Sequence, residues 1–135
     1  MKNTWSSIAV IGIACIAAPL ALQAHHSFAA EFDASKPITL TGTVTKVAWT
    51  NPHAHIQVNV MGQGGKVTPW DFELGSPNAL IRRGWLKSTI KPGDVITVVG
   101  YVAKDGSDLA NARSITMSDG RKVFAGSSIE SEATK

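Results

Sequence analysis

The run Ala54-His55-Ile56-Gln57-Val58-Asn59-Val60 alternates strictly, with Ala54, Ile56, Val58 and Val60 on one side and His55, Gln57 and Asn59 on the other. A period of two places successive side chains on opposite faces of a strand, whereas a helix repeats every 3.6 residues or so, so this stretch reads as a half-buried strand. The alternation reaches back to His53, just after the turn signal Asn51-Pro52, which predicts a central strand from His53 to Val60. Two imidazoles, His53 and His55, then share its wet face. The chain has 4 histidines in all, and the other two, His25 and His26, stand side by side far upstream.

That upstream position matters because the first residues read as an export leader. Lys2 supplies the charged start, an apolar run extends from Ile8 to Leu22 with Pro19 inside it, and Leu22 and Ala24 stand at the cleavage positions. Residues 1–24 are therefore expected to be removed, leaving His25 as the new amino terminus. The unbroken apolar run before Pro19 is short for a bilayer of about 30 Å, so no membrane span is expected after cleavage. Lipidation at Cys15 is disfavoured by Gly12, which stands where such a signal wants a large aliphatic residue. Cys15 is the single cysteine, so the mature chain can form neither a disulfide nor a thiolate site and must rely on its apolar core. The formal charge of +3 is too mild and too scattered for nucleic acid or an anionic membrane surface.

Residues 25–37 form an arm in which Phe28 and Phe32 are spaced to dock together onto the body. A first strand is expected from Ile38 to Trp49: Ile38, Leu40, Gly42 and Val44 alternate with threonines, and past Val44 the apolar phase slips to Val47 and Trp49, which predicts a bulge. After the central strand, Gly62 to Gly65 reads as a hairpin connection. A third strand follows from Val67 to Leu74, with Trp70, Phe72 and Leu74 inward and Asp71 and Glu73 outward. Ser76 and Pro77 open a short helix to about Trp85, burying Leu80, Ile81 and Trp85. Lys91-Pro92-Gly93-Asp94 is a turn, and Val95 to Val102 is apolar enough to be buried on both faces. A fifth strand from Ala112 to Met117 and a short piece at Arg121 to Phe124 complete the body. The fold class is mostly β: a small five- to six-stranded OB-like Greek-key barrel over residues 38–126, with one short helix between strands 3 and 4. A small sandwich is the competing architecture. The polar tail, residues 127–135, is expected to be disordered.

The segments His-His-Ser-Phe-Ala-Ala-Glu-Phe-Asp (25–33), Thr-Asn-Pro-His (50–53), Phe-Glu-Leu-Gly-Ser-Pro-Asn (72–78), Arg-Arg-Gly-Trp (82–85) and Lys-Pro-Gly-Asp (91–94) together resemble a family of small exported bacterial proteins of unknown function. The resemblance runs from His25 to about Ser127. It implies a periplasmic or secreted single domain with a barrel-like fold, and it implies no activity. That family often has an aromatic where His55 stands, which singles out His53 over His55.

The residues that could carry chemistry are nitrogen ligands. An amino-terminal His25 offers its amine and its ring to one ion, His26 can replace it through the intervening amide, and His53 would complete a planar nitrogen set suited to Cu(II). His55, about 6.5 to 7 Å along the strand from His53, can converge on the same ion or act alone. Asp33, Asp71 and Glu73 are available as carboxylate ligands or as acceptors for the ring nitrogens. The same histidines are equally expected as solvated side chains or as caps for loops. Ser76 is better read as a helix cap than as a nucleophile, Arg82 and Arg83 as a helix flank that could also meet an anion, and Asp71 with Glu73 as a solvated pair before an acid and base pair. No enzyme is expected. Two functions remain: a small exported binding domain with a copper-type site at His25, His26, His53 and His55, or a metal-free accessory subunit using the same face to hold another exported protein.

Overall fold

A computed structural model describes residues 28–126. The leader, His25 and His26, and the tail at 127–135 lie outside the described residues. The described residues hold six strands and three short helical segments, one of them a 3-10 turn (Gln63–Gly65) in the β-hairpin connection. A helical turn at residues 28–31 leads into β1 (Phe32–Ala48), followed by β2 (His55–Met61), β3 (Val67–Glu73), helix α1 (Pro77–Arg82), β4 (Val95–Ala103), β5 (Leu109–Met117) and β6 (Lys122–Phe124). Neighbours in the sheet run β3-β2-β1-β4-β5-β6, all antiparallel, and a short parallel pairing of Asp71 to Glu73 with Leu109 to Asn111 joins β3 to β5. The hydrogen bonding thus returns through five strands to where it began. Among the described residues no helix is long and apolar enough to cross a membrane.

β1 is the strand that two neighbours share. Its first part pairs with β4 as far as Thr43 opposite Val95, and its last part pairs with β2 from Gly42 opposite Val60. The expected slip past Val44 is present as a register shift between Val44 and Lys46. The loop Lys91–Asp94 grips this point: Val44 N–H donates to Asp94 O at 2.9 Å and Gly93 N–H donates to Val44 O at 2.8 Å. Pro92 followed by Gly93 at φ 95° suits a turn whose third residue needs a positive φ. β1 begins at Phe32, six residues before the expected start, because Phe32 pairs with Ala103 and is buried, and a register shift absorbs the residues up to Pro37. Half of the expected arm is therefore strand. Phe28 packs on Phe32 and edge-on to Tyr101, with centroids 5.6 and 5.9 Å apart.

Ile56, Val58, Phe72, Leu74, Leu80, Ile96, Val98 and Ile115 form the heart of the core. Three expectations need correction. Helix α1 stops at Arg82, because Gly84 at φ 89° lets its N–H return to Ile81 O and lets Trp85 N–H return to Leu80 O, a closure that brings Trp85 back against Leu80. Ile81 therefore points to water, at 55% exposure, and Ala79 takes the buried place. β4 is buried on one face only: Ile96, Val98 and Gly100 face inward, while Val95 and Val99 are exposed, since among the described residues no element covers the outer side of the sheet there. β5 starts at Leu109, three residues early, drawn out by its parallel partner β3. Ser76 caps α1 as expected, accepting from Ala79 N–H at 3.3 Å, and Trp85 Nε1 donates to Phe124 O at 2.9 Å, tying the segment that follows the helix to β6.

Two glycines permit this closeness. A Cβ at Gly42 would stand 2.3 Å from Asn59 O, and one at Gly100 would stand 2.2 Å from Asn111 O, both backbone atoms that cannot swing aside. Gly100→Ala is expected to destabilise the fold by about 1–3 kcal/mol or more, the range for forcing a methyl into a filled interior, as read by the denaturation midpoint. An unchanged midpoint would contradict the close approach of β4 and β5.

Candidate functional site

The polar groups singled out in the sequence gather at one rim, where β2 starts and β3 ends. In register, His55 stands opposite Glu73 and Gln57 opposite Asp71. His55 reaches diagonally, and its Nδ1 lies 2.9 Å from Asp71 Oδ1. An ionised carboxylate can only accept, so Nδ1 carries a proton in this pair, and in the neutral ring Nε2 keeps its lone pair. His53 precedes the strand and does not belong to it, which corrects the expected start of β2. The turn after Asn51 and Pro52 takes its backbone out of the ladder, and pairing resumes at Ala54, whose N–H donates to Gly75 O at 3.1 Å.

His53 is nevertheless fixed at both ends. Its Nδ1 lies 2.9 Å from Leu74 O, and its own carbonyl accepts from Thr50 Oγ1 at 2.7 Å. A carbonyl oxygen has no proton to give, so His53 also donates through Nδ1 and keeps Nε2 unprotonated when neutral. This is the arrangement by which outer partners orient a metal-binding imidazole. Both rings are about a third exposed.

Glu73 lies between these elements. Its Oε1 is 3.8 Å from His53 Nδ1 and accepts from Asn111 Nδ2 at 3.3 Å. Burial is the main influence on this carboxyl and lifts its pKa above the ordinary 4.5; the charge of Glu31 lifts it further, while His53, Asn111 and His55 act in the opposite direction. Both histidines and Glu31 thus bear electrostatically on one half-buried carboxylate. Glu31 is held by its own carbonyl, which accepts from Lys104 N–H at 2.8 Å, and Lys104 Nζ donates to the carbonyl of Ala29. The arm is thereby fastened beside the rim.

The structure brings together His53, His55, Asp71 and Glu73. Asp33 is placed elsewhere, turned to Ser35 and lying 3.5 Å from Lys36 Nζ. His25 and His26 lie outside the described residues. Arg83 is occupied in packing, its guanidinium 4.0 Å above the Phe124 ring. Among the described residues no group of three or more His, Cys, Asp or Glu side chains could hold a metal ion. Sequence reading missed Glu31 and Asn111. Asn111 lay one residue outside the expected fifth strand, and the only available signal was a polar residue between two alanines, Ala110 and Ala112, all three fully buried.

The chain belongs to a family of unknown function (DUF6152), whose model matches residues 12–112. No curated protein matches it. The matched span takes in all four histidines and the rim carboxylates.

Because the folded chain holds the Glu73 proton more tightly than the unfolded chain, this group favours folding below pH 4.5, and that contribution is lost as pH rises through the lifted value. Glu73→Gln keeps an acceptor for Asn111 and abolishes the titration. The variant should gain stability relative to the parent as pH rises from 4.5 toward neutrality. Denaturant unfolding over a pH series checks this; a difference that does not vary with pH would contradict it.

Proposed function

We propose that this chain is an exported, periplasmic or secreted, non-enzymatic binding domain with an OB-like Greek-key barrel, holding a Cu(II)-type ion through His25, His26 and His53, with His55 beside them. The observation that carries this reading is the orientation of the His53 ring: its Nδ1 proton is committed to Leu74 O, so the ring offers Nε2 to an incoming ion. A nitrogen donor set suits Cu(II).

The missing donors are sought at the chain end because one arm residue, Glu31, bears on the rim carboxylate. Glu31 acts on Glu73, which is 3.8 Å from His53. Phe28 is three residues after His25, a reach of at most about 10 Å. The leader-like residues 1–24 support export, since their removal would free the His25 amine. The closed hydrogen-bonding circuit through β1, β2, β3, β5 and β4 supports the barrel reading.

A second reading is an accessory subunit that captures another exported protein without metal. It is favoured by Met61 and Val67, cross-strand partners at the tip of the β2–β3 hairpin that are 72% and 49% exposed.

Copper titration separates the two. Protein beginning at His25 should bind Cu(II) tightly, and a single additional residue before His25, which removes the terminal amine from the chelate, should weaken binding by about a hundredfold or more, since losing a ligand should cost at least as much as the 10–100-fold that losing an outer partner costs. His53→Ala should weaken it comparably. Equal, weak binding in all three proteins would remove the copper reading and leave the accessory subunit.

A further inference from the structure

The charge of the chain is small in total and uneven in place. Between residues 74 and 93 the sequence has four bases, Arg82, Arg83, Lys87 and Lys91, and no Asp or Glu. The scatter expected from the total therefore does not hold at α1 and the turns that follow it. Ala79 and Leu80 are buried, and the next two residues round the helix, Ile81 and Arg82, are exposed and point away from the core. The closure at Gly84 turns Trp85 inward and leaves Leu86 outside, at 67% exposure. Leu86 is nonetheless held: its N–H donates to Thr89 Oγ1 at 2.7 Å and its carbonyl accepts from Thr89 N–H at 3.0 Å. Gly84 N–H donates to Ile81 O at 3.0 Å and Leu86 follows two residues later, so the backbones of the two exposed aliphatics stand within about 10 Å of each other.

β6 extends the same surface. Val123 packs against the core, so Lys122 and Phe124 leave the opposite face of the strand, and the Arg83 guanidinium lies 4.0 Å above the Phe124 ring. Among the described residues, Arg82, Arg83, Lys87 and Lys122 make no ion pair. The other exposed large apolar side chains have different neighbours: Met61 and Val67 stand at a hairpin tip, and Val95 and Val99 lie opposite Thr43 and Thr39. Ile81 and Leu86 alone among them are set between cations.

Such a face fits a partner that is negatively charged and soft enough to take isolated side chains without a matching pocket. A bilayer with anionic headgroups is both, because its interface admits single Leu and Ile side chains and its surface potential attracts Lys and Arg. Clusters of about four to eight bases are the usual mark of such binding, and this face has four. An acidic protein would answer the charge but leave both aliphatics in water unless it carried a pocket for each.

We propose that this face rests on an anionic lipid bilayer, with Ile81 and Leu86 entering the headgroup boundary and Arg82, Arg83, Lys87 and Lys122 meeting lipid phosphates. The attachment is peripheral, and it does not depend on the copper reading.

The test is co-sedimentation of protein beginning at His25 with vesicles of equal parts phosphatidylglycerol and phosphatidylcholine, beside vesicles of phosphatidylcholine alone. The mixed vesicles should retain the protein and the neutral ones should not, and retention should fall as salt rises. Arg82→Gln and Lys87→Gln should each weaken binding by about fivefold, the factor that one base near an anionic surface carries. Leu86→Ser should weaken it by about tenfold. Lys66→Gln, the same loss of charge at the β2–β3 hairpin tip, should bind as the parent does. Equal retention by neutral vesicles, no retention by the mixed ones, a Lys66→Gln loss as large as that of Lys87→Gln, or a Leu86→Ser protein that binds as the parent does would overturn the proposal. Oligoglutamate that binds the protein when the mixed vesicles do not would also overturn it, assigning the face to an acidic partner. The assay contains no copper, so failure here leaves the metal reading untouched.

Discussion

One strand serving two neighbours is the constraint from which the rest of the structure follows. β1 spans 17 residues and pairs with β4 along its first part and with β2 along its last, sharing Gly42 and Thr43 between them. A flat strand of that length could not turn from one partner to the other. The bend is supplied by the extra residue after Val44, by the absent side chain at Gly42, and by the Lys91–Asp94 turn that satisfies both the N–H and the C=O of Val44. The buried polar backbone that a bulge would otherwise leave unpaired is thus answered by a turn from a distant part of the chain.

That bend determines where the polar rim lies. By carrying β2 around, β1 brings β3 to β5, and the short parallel contact is possible because small residues line the approach: Gly100 on β4 and Ala110 and Ala112 on β5. Asn111, between the two alanines, is thereby buried with its amide toward Glu73. The carboxylate beside His53 is therefore oriented by strand closure, and a change that loosened the β3–β5 contact would disturb the histidines without touching them.

Much of this was legible in the residues. The threonine alternation of β1, its slip past Val44, the hairpin at Gly62 to Gly65, the Ser76 cap and the Pro92-Gly93 turn are local signals, and local chemistry decides them. Which apolar residues of β4 face outward was not legible: Val95 and Val99 are apolar by sequence yet sit exposed on a sheet face that no described element covers, where β-branched residues still favour the strand. Nor was the end of α1, because Ile81 continues the apolar pattern while Gly84 closes the helix first. At the rim, the pairing of His55 with Asp71 could be anticipated from strand alternation. The Leu74 carbonyl under His53, the arm residue Glu31 and the buried Asn111 could not, since each depends on pairings between segments remote in sequence.

The two histidines are oriented by acceptors of different kinds. His55 lies 2.9 Å through Nδ1 from the Asp71 carboxylate, a side chain 41% exposed, so water competes for that acceptor and the aim of the ring depends on a rotatable group. His53 donates to the Leu74 carbonyl, a backbone atom whose residue is held in turn by its own N–H bond to Ala54 O at 2.8 Å. Of the two rings, His53 is therefore the one whose orientation the fold itself imposes, and loosening the approach of β3 to the start of β2 would release it.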